Sequence, residues 1–580
     1  MASPAAPTSS AALGQREMWK GKRPNQNGDG RQVKKKFRGG KGKKVKAAGE
    51  GSLEEVLLAD IQALLASQRL DDDTTAFDES AERLPPPELP QPGSEIEVDV
   101  VELSSTGDGL ARQKGSDRIY TVPFAVPGDT VRVKVYRHLA DEGYSVADFL
   151  SVTTPSPDRD DARIRCRYFA QCSGCQFQML DYAHQLRLKQ RIVERAYRHF
   201  SQLPPARVPP VADTMASPLQ YGYRTKLTPH FDGPPGSGSR NKAARKAAPP
   251  WGARPPIGFT PKGRRNVLDI EDCPIGTDAV RGGLTRERDR LAVEYSQYQR
   301  GATILLREST ARHPHDAEGK AAVPASIPTD AIVVAGDGYT DVKTCITNNN
   351  ATSTEYIDDY IFTNPAGAFF QNNNSILPAF TAYVRERILP TSTPAAGPAV
   401  RYLIDAYSGS GLFTIALAAQ LPGGSLGIDI ADKSIAFARR NAALNGLPED
   451  RCAFLAADAP ALFEQVTFPP AETAVVVDPP RKGCDASFLR QLLAFGPARV
   501  VYVSCNVHTQ ARDVGVLVRG EVDRGDGQTV VPGARYEIES LRGFDFFPQT
   551  GHVEGVAVLT RVPDEEAPEA AEEQLESGGQ

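Results

Sequence analysis

The feature that most constrains this chain is an alternation that sets in after Phe362. The run RYLID leads into a glycine turn at 409–411 and then into the helical pattern LFTIALAA. The runs SLGIDI, FLAADA, AVVVDPPRKG and VVYVSCN follow, with helical periods at 433–444 and 486–493 between them. Apolar strands separated by helices form a mostly parallel, doubly wound sheet, because parallel neighbours need a crossover connection. The expected fold class is therefore α/β, with a Rossmann-like sheet at the C-terminal end. Ligands of such sheets collect outside the carboxyl ends of the strands. The residues at those ends are Tyr407, Gly409 to Gly411, Asp429, Asp458, Asp478 and Cys505.

Upstream, IEVDVVEL, RIYTVPF and TVRVKVY alternate apolar and polar residues and are separated by glycine-containing turns. That pattern predicts a small OB-like β-barrel over residues 93–155. Residues 156–360 read as a central α+β domain, with a helix over 182–200 and insertions at 233–256 and 312–330. The YRTK at 223–226 sets Arg224 and Lys226 on one side of a strand, facing either phosphate or solvent. Residues 1–92 read as a disordered basic arm and linker with one amphipathic helix at 53–70, and folded structure is expected to begin near residue 93. The sheet domain is expected over 361–562, with a further helix at 376–388, and an acidic disordered tail over 563–580.

Charge is segregated. The chain carries a net charge of -5, yet residues 20–46 hold 12 Lys or Arg against one acid, Asp29. Such a run suits a nuclear address or a phosphate-binding arm. No run of about 18 apolar residues marks a membrane span, and no apolar signal core opens the chain. The expectation is an intracellular protein, nuclear or cytoplasmic with a mitochondrial site left open, with no membrane partner and no obligate protein partner. Its eight cysteines then read as ligands, catalysts or packing rather than disulfides.

Cys505 leaves a strand at its carboxyl end, where a nucleophile would stand. Carbon 5 of uracil becomes reactive once a thiolate adds to carbon 6, and a base must later remove the carbon-5 proton. In HVEGV either His552 or Glu554 has the chemistry for that step. Asp429, about 20 residues after the glycine turn, is placed to bind ribose hydroxyls, and the turn lacks the full dinucleotide spacing. That suits S-adenosylmethionine, which has a ribose and no pyrophosphate. Cys166, Cys172 and Cys175 are spaced C-x5-C-x2-C, and Cys273 follows before a proline. Four soft thiols can ligate either zinc or an iron-sulfur cluster.

Taken together, DAYSGSG, VDPPRKG, VSCNVHTQARD, HVEGV, FFQNNN and the cysteine spacing resemble the RNA uracil-5-methyltransferases. The resemblance runs from about residue 94 to 562, and the barrel resembles the TRAM domain of RNA-modifying enzymes. It implies a class I methyltransferase fold, Cys505 as nucleophile and Glu554 as proton acceptor. It further implies Gln371, Tyr407, Asp429 and Asp478 at the cofactor and base pocket, Asp458 as a lesser candidate, and a [4Fe-4S] cluster on Cys166, Cys172, Cys175 and Cys273. The implied substrate is RNA, tRNA first, and the T-loop uridine 54 within it. A ribosomal RNA uridine, a cytosine-5 enzyme and an RNA-folding protein with a methyltransferase shell are the competing readings. The chain departs from the family at Val507 and Gly551, where proline is usual, and at Ser408, where cysteine is usual.

Overall fold

A computed structural model describes residues 50–74, 88–238, 243, 249–319, 326–389, 399–457, 462–463, 465–523, 529–530 and 534–563, all within one compact unit that begins at Ala48. The basic run at 20–46, the tail from 564 and Asp458 lie outside the described residues.

The first element is a helix, α1, Leu53–Thr74. Its start is a capping box: Ser52 Oγ accepts from Glu55 N at 3.2 Å, and the Glu55 carboxylate accepts from Gly51 N at 2.5 Å. The expected start of folded structure near 93 is thus too late. Ile61 and Leu64 of α1 are buried with Leu110, Ile119 and Tyr144 of the domain that follows, and apolar burial on that scale holds a helix in place.

That domain is a closed barrel of β1 (Glu95–Leu103), β2 (Gly109–Arg112), β3 (Ile119–Val122), β4 (Thr130–Leu139) and β5 (Tyr144–Thr154), in the order β1-β2-β3-β5-β4. The alternation in TVRVKVY turns Val131, Val133 and Val135 inward and Arg132 and Lys134 outward. A cysteine-bearing loop then leads to α2, Tyr182–Phe200, the span its apolar period predicts. Asp181 caps it by accepting from His184 N at 2.8 Å.

The large sheet has eight strands. Numbered in chain order they are β6 (Val211–Met215), β7 (Tyr402–Ala406), β8 (Gly424–Asp429), β9 (Cys452–Ala456), β10 (Thr473–Val477), β11 (Arg499–Ser504), β12 (Tyr536–Phe544) and β13 (Glu554–Arg561). Their order is β9-β8-β7-β10-β11-β13-β12-β6. The five strands from β9 to β11 are parallel, and β13 enters antiparallel between β11 and β12. β10 and β11 are buried along their whole length, as a layer covered on both faces requires. The sheet reaches back beyond its expected boundary at 361: β6 pairs parallel with β12 and supplies that strand's missing neighbour. α2 packs beneath, with Ile192, Val193 and Ala196 in the same core as Val507 and Val514.

Between β6 and β7 lies a four-stranded antiparallel sheet formed by Lys226–Leu227, Leu306–Pro314, Ile332–Ala335 and Tyr339–Ile346, backed by the helix Asp278–Glu294. A buried ion pair of Arg307 with Glu355 joins it to the hairpin Thr352–Ile357 and Tyr360–Pro365. A second buried pair, Lys189 with Asp545, ties α2 to the segment before β13, and Lys189 Nζ also donates to Phe547 O at 2.9 Å. Removing one partner of such a pair strands the other charge away from water. Lys189→Met should therefore lower unfolding free energy by about 3–5 kcal/mol in urea titrations, and Asp545→Asn in the same chain should recover part of the loss.

Candidate active site

In an antiparallel pair the carboxyl end of one strand lies beside the amino end of the other. β11 and β13 pair so, with Ser504 opposite Gly555. One step beyond, Cys505 leaves β11 where Glu554 enters β13. Both side chains line one large cavity, together with Asp478, Arg481 and His552. Glu554 is 1 % exposed, and among the described residues neither of its carboxyl oxygens has a hydrogen-bond partner. Burial, reinforced by Asp478, holds its carboxyl well above the usual range, while Arg481 pulls the other way. Burial and then the carboxyls of Glu554 and Asp478 push the Cys505 thiol up to about 12, again against Arg481. A thiol so displaced favours its protonated form. His552 also lines the cavity beside the Arg481 guanidinium, 3.3 Å from Nδ1, and burial, then that cation, push its imidazole down to about 4. Spacing left Glu554 and His552 equal as bases; strand register sets Glu554 across from the thiol.

The turn that carries Cys505 is tied on every side. Asn506 caps the helix α3, Val507–Arg519, by accepting from His508 N at 3.2 Å, and its amide donates to Arg481 O at 2.9 Å. Thr509 Oγ1 donates to Arg481 O at 3.2 Å and to Asn506 O at 3.0 Å. The buried Gln510 amide donates to Tyr502 O at 2.7 Å and to Gly555 O at 3.0 Å, bridging β11 and β13. Asp513 accepts from Tyr502 Oη at 2.6 Å and from Cys484 N at 2.7 Å, which docks the loop after Asp478 on the same helix.

Of the cofactor candidates, Gln371, Tyr407, Asp429 and Asp478 line the same cavity. Tyr407 holds a left-handed φ of 64°, a strained position for an aromatic residue at the mouth of the turn. Gly409 and Gly411 also have positive φ, and a Cβ on Gly411 would come within 2.9 Å of the Phe454 ring. Asp429 accepts from Gly409 N at 3.0 Å and from Ala431 N at 2.8 Å, so it shapes the turn as well as facing the cavity. The Ser408 hydroxyl is buried without a partner. Asp405 accepts from Thr414 N and Oγ1, and its other oxygen is unpartnered. Burial pushes both Asp405 and Asp478 up to about 7, and Asp405 adds to the effect on Asp478. The cavity, about 1400 Å³, exceeds the usual span for one ligand and has room for two.

Gln371 lines the cavity, as does Phe369, which sequence reading passed over. Phe369 is 76 % exposed; an aromatic left bare at a pocket mouth is a signal only a structure supplies. Lys226 is half-buried, and its Nζ donates to Gly367 O at 3.0 Å and Ala368 O at 2.9 Å, propping the turn before Phe369. Arg224 borders the cavity and donates to Lys226 O. Cys166, Cys172, Cys175 and Cys273 are free thiols along the same cavity, and burial raises all four. Among the described residues no three His, Cys, Asp or Glu side chains stand close enough to hold a single metal ion.

Val507 does not loosen the turn that carries Cys505. It is the first residue of α3, where an N–H has no intrahelical partner and proline is tolerated. Its side chain is buried, and a Cβ on Gly555 would meet Val507 Cγ1 at 2.7 Å. Val507→Pro should leave turnover within about threefold and stability within about 1 kcal/mol, read from initial rates and denaturant midpoints.

A profile of the tRNA (Uracil-5-)-methyltransferase family matches residues 345–562, and one of the TRAM domain matches residues 91–141. The tRNA (uracil(54)-C(5))-methyltransferase of Schizosaccharomyces pombe is 43 % identical over 470 residues, 81 % of this chain and 78 % of that one. The protein of the same name from Saccharomyces cerevisiae is 38 % identical over 569 residues, 92 % of this chain and 85 % of that one. The crystal structure of Pyrococcus abyssi tRNA (uracil-54, C5)-methyltransferase in complex with S-adenosyl-L-homocysteine has a TM-score of 0.51 at 23 % identity. It covers 80 % of this chain and 100 % of its own, and shares the fold. With relatives this similar over most of both sequences, the chain belongs to the tRNA (uracil-5-)-methyltransferase family.

Proposed function

We propose that this chain transfers a methyl group from S-adenosylmethionine to carbon 5 of uridine 54 in tRNA, with Cys505 as nucleophile and Glu554 as base. The observation that carries the reading is the β11–β13 register, which brings a thiol and an unpartnered buried carboxyl to one cavity with room for two ligands. The names of the two fungal relatives support the reaction and the position. The Pyrococcus protein holds S-adenosyl-L-homocysteine, the demethylated form of the same cofactor.

The residues present suit that cofactor. Asp429 would hold the ribose, the glycine turn would let backbone approach the nucleoside, and Gln371, Tyr407 and Asp478 would complete the pocket. When bound, S-adenosylmethionine supplies an electrophilic methyl sulfonium. Cys505 Sγ forms a bond to carbon 6 of the ring, the thiol proton passing to a facing carboxylate, and the electron pair of the 5,6 double bond moves toward oxygen 4. Carbon 5 is then nucleophilic. After methyl transfer, Glu554 takes the carbon-5 proton, the double bond re-forms and Sγ leaves. Phe369 is suited to stack on an unpaired base at the entrance.

The same reading assigns a [4Fe-4S] cluster to Cys166, Cys172, Cys175 and Cys273. Its support is the soft donor set, free of disulfides along one cavity, and the family spacing of the thiols. The residues' part would be to pin the cysteine loop to the segment at Cys273.

5-Fluorouridine at position 54 of a tRNA should trap a covalent complex with the wild-type chain and cofactor, because fluorine does not leave as a proton. Cys505→Ala should form none while its tRNA affinity stays within about threefold; an adduct surviving in that variant would remove Cys505 from the role. The pH dependence follows from the groups in the cavity. Cys505, Glu554 and Asp478 are all made weaker acids by their surroundings, so the reactive ionised forms grow as pH rises. kcat/KM should climb between about pH 6 and about pH 9, and a falling profile would contradict the assignment.

A further inference from the structure

The helix α1 lies outside the matched TRAM and methyltransferase regions, yet it touches three parts of the molecule. At its first turn, Gly51 O accepts from the Asn506 amide at 3.2 Å. Glu50 pairs with Arg512 at 2.8 Å, and Arg512 also donates to Lys482 O, Cys484 O and Asp513. Gly51 has φ +65°, and a Cβ there would overlap Thr509 Cγ2. Nothing larger than hydrogen fits between this backbone and α3. Farther along, Asp60 is 3 % exposed and accepts from Ser105 N at 2.5 Å and Ser105 Oγ at 3.2 Å, in the barrel. Its Oδ1 lies 3.7 Å from both Arg195 and His199 of α2. Ile61 and Leu64 complete the seat against Leu110, Ile119 and Tyr144.

A buried carboxylate on an N-terminal helix is a costly group unless it is held. Here it is bonded to the barrel and faces α2, while the same helix's start is bonded to the turn of Cys505. We propose that Glu50 and Gly51 are positioning residues: α1 is a brace, anchored at Asp60 on the barrel and α2, whose first turn fixes Asn506, Thr509 and Arg512 and so holds the nucleophile turn in register. Nothing in the brace touches a reacting group. It acts through Asn506, which follows Cys505 in the chain and carries a hydrogen bond to Gly51 on one side and to Arg481 on the other. Arg481 is the cation that opposes the weakening of Cys505 and Glu554 as acids. A shift of the turn would thus move the thiol away from Glu554 and from its only favourable charge among these neighbours. The inference rests on Cys505 as the nucleophile.

The test uses the full chain and removes the close approach. Gly51→Ala forces a Cβ against Thr509 Cγ2, and Thr509→Ser deletes that methyl while keeping the hydroxyl that bonds Arg481 O and Asn506 O. Gly51→Ala should slow adduct formation on 5-fluorouridine tRNA and lower kcat by about tenfold, with KM and tRNA affinity within about threefold. The Gly51→Ala/Thr509→Ser double variant should regain most of that rate relative to Thr509→Ser alone. Labelling of Cys505 by iodoacetamide, followed by peptide mapping, should change in the single variant and return in the double. If wild-type chain forms no adduct, the nucleophile reading fails, and the alkylation arm still decides the brace. Unchanged rates and unchanged labelling in Gly51→Ala would overturn it. So would a loss of rate that tracks a fall in Tm and that Thr509→Ser does not restore.

Discussion

The site depends on one antiparallel pairing. Had β13 joined the sheet parallel to β11, its amino end would lie at the opposite edge from Cys505, and the carboxyl of Glu554 would face away from the cavity. Insertion of β13 between β11 and β12 reverses that, and the register of Ser504 with Gly555 sets the acid beside the thiol. A slip of one residue would turn Glu554 to the other face of the sheet. Three features guard the register. Gln510 reaches from α3 to carbonyls on both strands, Gly555 leaves room for Gln510 and Val507, and the Lys189–Asp545 pair anchors the chain just before it enters β13.

Electrostatics in the cavity follow from the same closeness. Glu554, Asp478 and Cys505 act on one another with Arg481 opposing them, and burial is the leading cause of each upward shift. In such a set the first negative charge discourages the next, so a proton released by one member is readily taken by another. The arrangement is suited to moving protons among its own groups without water.

Much of this was legible in the residues. Continuous apolar strands and a strand-end acid at each turn specify the doubly wound sheet, and the period of 182–200 delimits α2 to the residue. Strand-end placement also brought Tyr407, Asp429, Asp478 and Cys505 to one cavity, since chain ends of parallel strands share an edge. What escaped depends on contacts between residues far apart in sequence. β6 is short and half polar, so its strand character comes from the edge of β12. The seat of α1 needs Asn506 and Ser105, neither of which any local pattern links to Gly51 or Asp60. Phe369 carries no periodic signal, and the prop under it, Lys226, is more than 100 residues upstream.

The neutral state of Cys505 has a consequence for self-preservation. A cavity that admits a methyl sulfonium beside a permanent thiolate would offer the donor a competing acceptor, and the protein would alkylate itself. Keeping the sulfur protonated at rest, through burial and two neighbouring carboxyls, leaves it a poor nucleophile until a pyrimidine fills the space and displaces water. A sulfur so biased toward its protonated form is a weaker acceptor for a methyl sulfonium, and a weaker target for oxidants, than a free thiolate would be.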